Sequence, residues 1–162
     1  MVVAILSALL ATGLPSFMDW VQNTQIRSTA ESIASGLQVA RTEALRRNTP
    51  VQFILTGNGG VGETGWEVRA RNSDQLLQSK PAGEGGTKSQ LATVPADARM
   101  VTFTGIGRVM NNSDGSPRLT RVDIDNPSLS AAQSRDLRVT ISDGGSIRMC
   151  DPATSGSDTR AC

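Results

Sequence analysis

Side chains able to do chemistry are scarce in this sequence, and the scarcity itself restricts function. Among 162 residues there is no His, no Tyr and only two Cys, Cys150 and Cys162. Most general-base, nucleophile and metal-ligand constellations therefore cannot be assembled. The composition reads as a non-enzyme with no cofactor and no metal. The cysteines bound the stretch CDPATSGSDTRAC. A disulfide there would close a small polar loop, stabilise it by roughly 3 kcal/mol and point to a compartment outside the reducing cytoplasm. Two free thiols at a frayed tail are the alternative; CxxC redox or zinc spacing is absent.

Four further clusters invite a binding reading. Gly57, Gly59 and Gly62 satisfy G-x-G-x-x-G after a strand-like run. A dinucleotide site needs a helix to begin at the last glycine and aim its amides at a pyrophosphate. The next residues are the strand-like TGWEVRA, so these glycines read as a hairpin loop. GEGGTKS around Lys88 does not keep the spacing of a phosphate loop, and the carboxylates of NNSDGS and DIDNPS lack EF-hand spacing and suit turns. Finally, Arg135, Arg138, Arg148 and Arg160 would make a phosphate-contacting patch if the last strands gathered them. Asp136, Asp143, Asp151 and Asp158 interleave with them, and no aromatic lies nearby for base stacking. Sixteen Lys and Arg against fifteen Asp and Glu give a net charge of +1, too little for a strong whole-protein attraction to polyanions, though not for local patches.

The elements that must carry these residues fall into two parts. Met1 to Met18 contains no charge and as a helix spans roughly 27 Å, close to a hydrocarbon core of about 30 Å. A signal peptide would need a positive n-region, which is missing. Beyond Asp19 the pattern becomes one-sided: Ile26, Ala30, Ile33, Leu37, Ala40 and Ala44 recur at steps of four and three, with polar residues between. Pro50 biases Thr49 out of the helical region, so the helix is predicted to end near Asn48. Gly13 and Pro15 predict a kink within it. After Pro50 come short runs of strand character at 51–55, 65–70, 100–104, 118–125, 136–141 and 146–149, separated by loops rich in Gly, Asn, Asp and Ser. The predicted fold is α+β, a long N-terminal helix packed on a mainly antiparallel β head. Its predicted divisions are residues 1–18 as a transmembrane or filament-core half-helix, 19–48 as an amphipathic half, and 49–162 as the head.

MVVAILSALLATGLPSFMDW followed by R-S-x-A-E-x-I-A-S-x-L-Q-x-A-R-T-E-A-L-R-R-N, with GWEVR, VTFTGIGRV and the closing LRVTISDGGSIRMC, resembles the GspH/FimT family of type IV minor pilins and type II secretion pseudopilins. The resemblance covers nearly the whole chain. It implies a pilin-like subunit held by one span in the bacterial inner membrane, with its head in the periplasm, that assembles with other pilin or pseudopilin subunits through its N-terminal helix. Pro15 would then supply a bend where the helix loosens on assembly. Family precursors carry a basic leader and G-F-T-L-I-E-L, cut by prepilin peptidase; the sequence begins at Met1 within that helix, so the resemblance implies either a start further upstream or an N-terminally truncated chain. Some FimT-like members bind DNA in natural transformation through a motif like G-R-x-R. The matching stretch here is Gly145-Ser146-Ile147-Arg148, so only Arg148 carries over, and Arg138, Arg148 and Arg160 are the candidate DNA contacts.

Overall fold

The computed structural model describes residues 17–162, with 2–16 assigned only as the start of the first helix. That helix, α1, runs over Val2–Arg47. The bend expected at Gly13 and Pro15 lies outside the described residues. In the amphipathic half the spacing is realised in full, since Ile26, Ala30, Ile33, Leu37, Ala40 and Ala44 are all completely buried. Each large member of that stripe contributes about 1.5–3 kcal/mol by leaving water. The last turn carries Arg46 and Arg47, which suit the negative end of the helix dipole. Both pair with Glu43, and Arg46 foremost, then Arg47, hold its carboxyl below the usual carboxylate range. The helix stops because Asn48 turns left-handed, at φ 47°, letting Thr49 N–H reach back to the Ala44 carbonyl at 3.3 Å before Pro50.

Nine strands follow: β1 (Val51–Leu55), β2 (Trp66–Ala70), β3 (Leu76–Lys80), β4 (Gln90–Val94), β5 (Met100–Phe103), β6 (Val109–Met110), β7 (Arg121–Asp125), β8 (Leu137–Ile141) and β9 (Ile147–Cys150). They form two antiparallel sheets, ordered β3-β2-β1-β5-β6 and β4-β7-β8-β9. The predicted strand at 118–125 is shorter, because Arg118 makes only an isolated bridge to Met100. β3, β4 and β6 were not expected from the sequence. β3 is an edge strand with no buried residue, β4 buries only Leu91, and β6 is two residues long, so none shows the alternation that marks a half-buried strand.

Both sheets pack on the apolar stripe of α1, with Phe53, Phe103, Val101, Val122, Ile124 and Val139 fully buried beneath it. Gly36 sets the closest approach. A methyl group there would lie 2.8 Å from the Phe53 ring and 2.9 Å from the Trp66 indole. Those two rings stand 5.8 Å apart, and the Trp66 Nε1–H donates to Ser32 Oγ at 3.0 Å, fixing the indole against the helix.

Candidate functional site

The sequence motifs that suggested ligands turn out to be satisfied internally. The loop holding Gly57, Gly59 and Gly62 joins β1 to β2, and no helix comes after it. Its amides wrap an anion of their own: Asn58 N–H and Gly60 N–H donate to Glu63 Oε2 at 2.6 and 3.1 Å. The loop around Lys88 lies against α1, where the Lys88 amide donates to Gln25 Oε1 at 3.2 Å. In NNSDGS, Asn112 is buried as a hub. Its Nδ2 group faces the carbonyls of Met100, Ser116 and Pro117, and its Oδ1 accepts from Thr102 Oγ1. Asp114 accepts from the Ser116 amide, which lowers its pKa. Among the described residues no group of three or more His, Cys, Asp or Glu could hold a metal ion.

Cys150 and Cys162 are joined as a disulfide, with Cα atoms 5.1 Å apart. The bridge closes a loop that folds back along β9: Asp151 N–H donates to the Arg160 carbonyl at 2.7 Å, and Asp151 and Ala161 form a bridge. Arg148 holds this loop from the strand, donating to the carbonyls of Ala161 at 2.7 Å and Thr159 at 3.4 Å. The loop therefore covers part of a sheet edge that would otherwise present unpaired backbone groups.

The three arginines proposed as DNA contacts lie on or beside the last two strands. Arg138 sits opposite Cys150, and Arg148 opposite Thr140, across β8 and β9, so both project from the face of that sheet turned away from the core. Arg160 is on the C-terminal loop. Each is already engaged. Arg138 Nε is 2.5 Å from Asp123 Oδ1, Arg148 spends its guanidinium on backbone carbonyls, and Arg160 pairs with Asp158 at 2.9 Å. The Arg160 hydrogen bond holds the Asp158 carboxyl down to about 2. Arg121 adds a fourth cation to this face, its Nε 3.1 Å from Asp123 Oδ2 but outside hydrogen-bond geometry.

A feature that the sequence did not disclose is a polar latch between residues 126–136 and the start of the described helix. Asn126 Nδ2 donates to Gln22 Oε1 at 3.1 Å, Gln133 Nε2 to Asp19 Oδ2 at 2.7 Å, Asn23 Nδ2 to the Gln133 carbonyl at 3.0 Å, and Arg135 N–H to Asn23 Oδ1 at 2.8 Å. These partners are more than a hundred residues apart, and their types are ordinary loop types, so no local pattern signals them. Beneath the latch Ser134 Oγ bonds Asp136 and lies 3.2 Å from Asp125 Oδ1. Burial, the neighbouring Asp125 and Asp151 raise the Asp136 pKa against the opposing Ser134 hydrogen bond. Next to the latch opens a groove of about 940 Å³, walled by Trp20, Asn23 and Arg27 on α1 and by Leu137, Met149 and Arg160 on the head.

One helix that seats two antiparallel sheets along half its length, with a disulfide-closed loop finishing the outer edge, is the pilin-like fold. Residues 29–158 match the family described as Type II transport protein GspH. The chain belongs to that family. No curated protein sequence matches it. Among solved structures it is similar to the type IV minor pilin FimU of Pseudomonas aeruginosa, at 16% identity and a TM-score of 0.63, over 85% of this chain and 97% of that one. It is also similar to EpsH, a minor pseudopilin from the type 2 secretion system of Vibrio cholerae, at 13% identity and a TM-score of 0.54, over 80% and 99% of the two chains. Among the described residues no helix is long and apolar enough to cross a membrane.

Proposed function

We propose that this chain is a structural subunit of the minor pilin or pseudopilin kind, anchored by the uncharged front of its helix and assembled through it into a filament of a type IV pilus or type II secretion machine. The observation that carries the reading is the division of labour along α1. The stripe from Ile26 to Ala44 is consumed by the head, while the uncharged residues before Asp19 are ahead of any stripe contact with it. In this reading residues 1–18 serve membrane and filament core, 19–48 seat the head, and 49–162 form a head on the periplasmic side of the envelope. The bilayer stage requires a segment whose backbone polar groups are satisfied within the helix; the filament stage reuses the same apolar surface between subunits.

Deletion of the gene in its own organism tests this. Loss of surface pili assigns the pilus, loss of secreted proteins with pili intact assigns the secretion machine, and loss of neither overturns the proposal. A DNA-binding role in transformation draws on the same scaffold, but Arg138, Arg148 and Arg160 are engaged within the head, which favours the structural role. Retention of the chain on DNA that weakens steeply with salt and is lost in Arg148→Ala with Arg160→Ala would reverse that preference.

A further inference from the structure

We propose that the groove beside the latch seats the headgroup of an anionic phospholipid, with Trp20 at the glycerol level and Arg135 on the phosphate. The proposal rests on the membrane-anchored reading above. Phe17, Met18 and Trp20 are 59%, 57% and 64% exposed, and the Phe17 and Trp20 rings lie 6.0 Å apart on one side of the helix. Three adjacent large apolar side chains left uncovered mark an interaction surface. Phe17 and Met18 end the uncharged run from Met1 and Trp20 stands one residue beyond it, after Asp19, so the cover continuous with that run is lipid. An indole with an apolar body and one N–H donor suits the boundary between hydrocarbon and headgroups.

Depth along the helix axis then assigns the cation. Each headgroup layer is about 5–7 Å thick. With Met18 at the hydrocarbon edge and a rise of 1.5 Å per residue, Trp20 stands ~3 Å, Asn23 ~7.5 Å and Arg27 ~13 Å above it. Arg135 is pinned at the level of Asn23 by its own amide, 2.8 Å from Asn23 Oδ1, which sets its backbone at the outer edge of that layer, from where its long side chain reaches down to the phosphates. Its side chain is exposed, and among the described residues it has neither an ion-pair nor a hydrogen-bond partner. The other groove cations are committed, Arg27 to Glu31 and Arg160 to Asp158. Asp19 and Asp151 also line the groove; they keep their charge but are hydrogen-bonded by the head, Asp19 by Gln133 and Asp151 by the Ala153 amide, so Arg135 is the lining cation with no carboxylate of its own among the described residues. Met149, 38% exposed, supplies apolar wall on the head side.

The full chain in phosphatidylcholine vesicles containing phosphatidylglycerol tests this, because its two tryptophans differ so much in exposure. Trp66 is 3% exposed, so a bromine on a lipid chain reads Trp20. Bromine is placed either on phosphatidylglycerol or on the same fraction of phosphatidylcholine. The expected result is about fivefold enrichment of phosphatidylglycerol around Trp20, the equivalent of ~1 kcal/mol for one basic residue at an anionic surface. Arg135→Lys retains the enrichment, and Arg135→Glu brings it to unity without changing near-ultraviolet dichroism from Trp66. Equal quenching by both brominated lipids overturns headgroup selection. Vesicle-bound protein with no quenching by either lipid, or with Trp20 crosslinking to a second copy, shows that something other than lipid fills the groove. Protein that floats with no vesicle refutes the membrane reading itself, and the inference with it.

Discussion

Gly36 offers the sharpest test of how the helix and head are joined. Glycine in a helix interior is unfavourable by about 1 kcal/mol relative to alanine, so Gly36→Ala at an unconstrained site would stabilise the protein. Here the added methyl meets the Phe53 ring at 2.8 Å and the Trp66 indole at 2.9 Å. Neither ring is free to move. Phe53 is fully buried, Trp66 is 3% exposed, and the indole is tied to Ser32 by its N–H. Overpacking a filled core costs about 1–3 kcal/mol, and two constrained rings put this site at the upper end. Subtracting the helix gain leaves a net loss of ~2 kcal/mol.

For a chain of this size that loss lowers Tm by about 4–8 °C. Thermal unfolding followed by near-ultraviolet dichroism measures it and also reports the Trp66 environment, which is expected to change. Ser35→Ala, one residue away on the exposed face, is the control and should gain a few tenths of a kcal/mol from propensity alone. A Gly36→Ala variant as stable as the control, with an unchanged Trp66 signal, would show that the helix does not depend on close approach at this point.

Removing the disulfide with Cys150→Ser and Cys162→Ser is expected to cost roughly 3 kcal/mol by loop length and to open residues 151–162 to proteolysis, seen as cleavage there before any in the sheets. Asn112→Ala leaves the Thr102 hydroxyl and several carbonyls without their buried partner; at about 1–3 kcal/mol for a buried group so orphaned, urea unfolding should show a loss near the upper figure. Asp136 supplies the pH dependence. Its folded pKa is raised, so the native state holds the proton that the unfolded state releases first, and stability present below the unfolded pKa of about 3.9 falls as pH rises through the folded value. Asp136→Asn should therefore raise Tm at pH 7 relative to the parent, with the difference shrinking towards pH 3; an equal difference at both pH values would remove the buried Asp136 charge as its cause.

The helix was legible because one physical signal, a 3.6-residue apolar period, is both local and repeated. All six stripe positions carry it, and the stop at Asn48 followed from Pro50. Strands β1, β2, β5, β7 and β8 were legible for the related reason that each alternates buried with less buried residues or is largely apolar and buried almost throughout. β3 escaped because an edge strand is defined by hydrogen bonds to its neighbour, and LLQSK has no buried face to write into its composition. The arginines show the converse failure. Their spacing suggested a shared patch, yet Asp123, Asp158 and two backbone carbonyls divide them, and which carboxylate meets which guanidinium depends on strand register that local pattern does not encode.

The latch was illegible for a reason that also explains its use. Seating the head by the apolar stripe alone fixes burial but leaves the lower head free to tilt, since hydrophobic packing is non-directional. Directional bonds from Asn126, Gln133 and Arg135 to Gln22, Asp19 and Asn23 define that angle where the helix leaves the head, and with it the width of the groove beside Trp20. Asn23→Ala breaks the latch in part: it removes the acceptor of the Arg135 amide and the donor to the Gln133 carbonyl while leaving the buried stripe intact. The expected outcome is a small loss of Tm, faster amide exchange confined to residues 126–136, and a loss of Arg135-dependent lipid selection out of proportion to the loss of stability. Unchanged exchange in that segment would mean that the stripe alone positions the lower head.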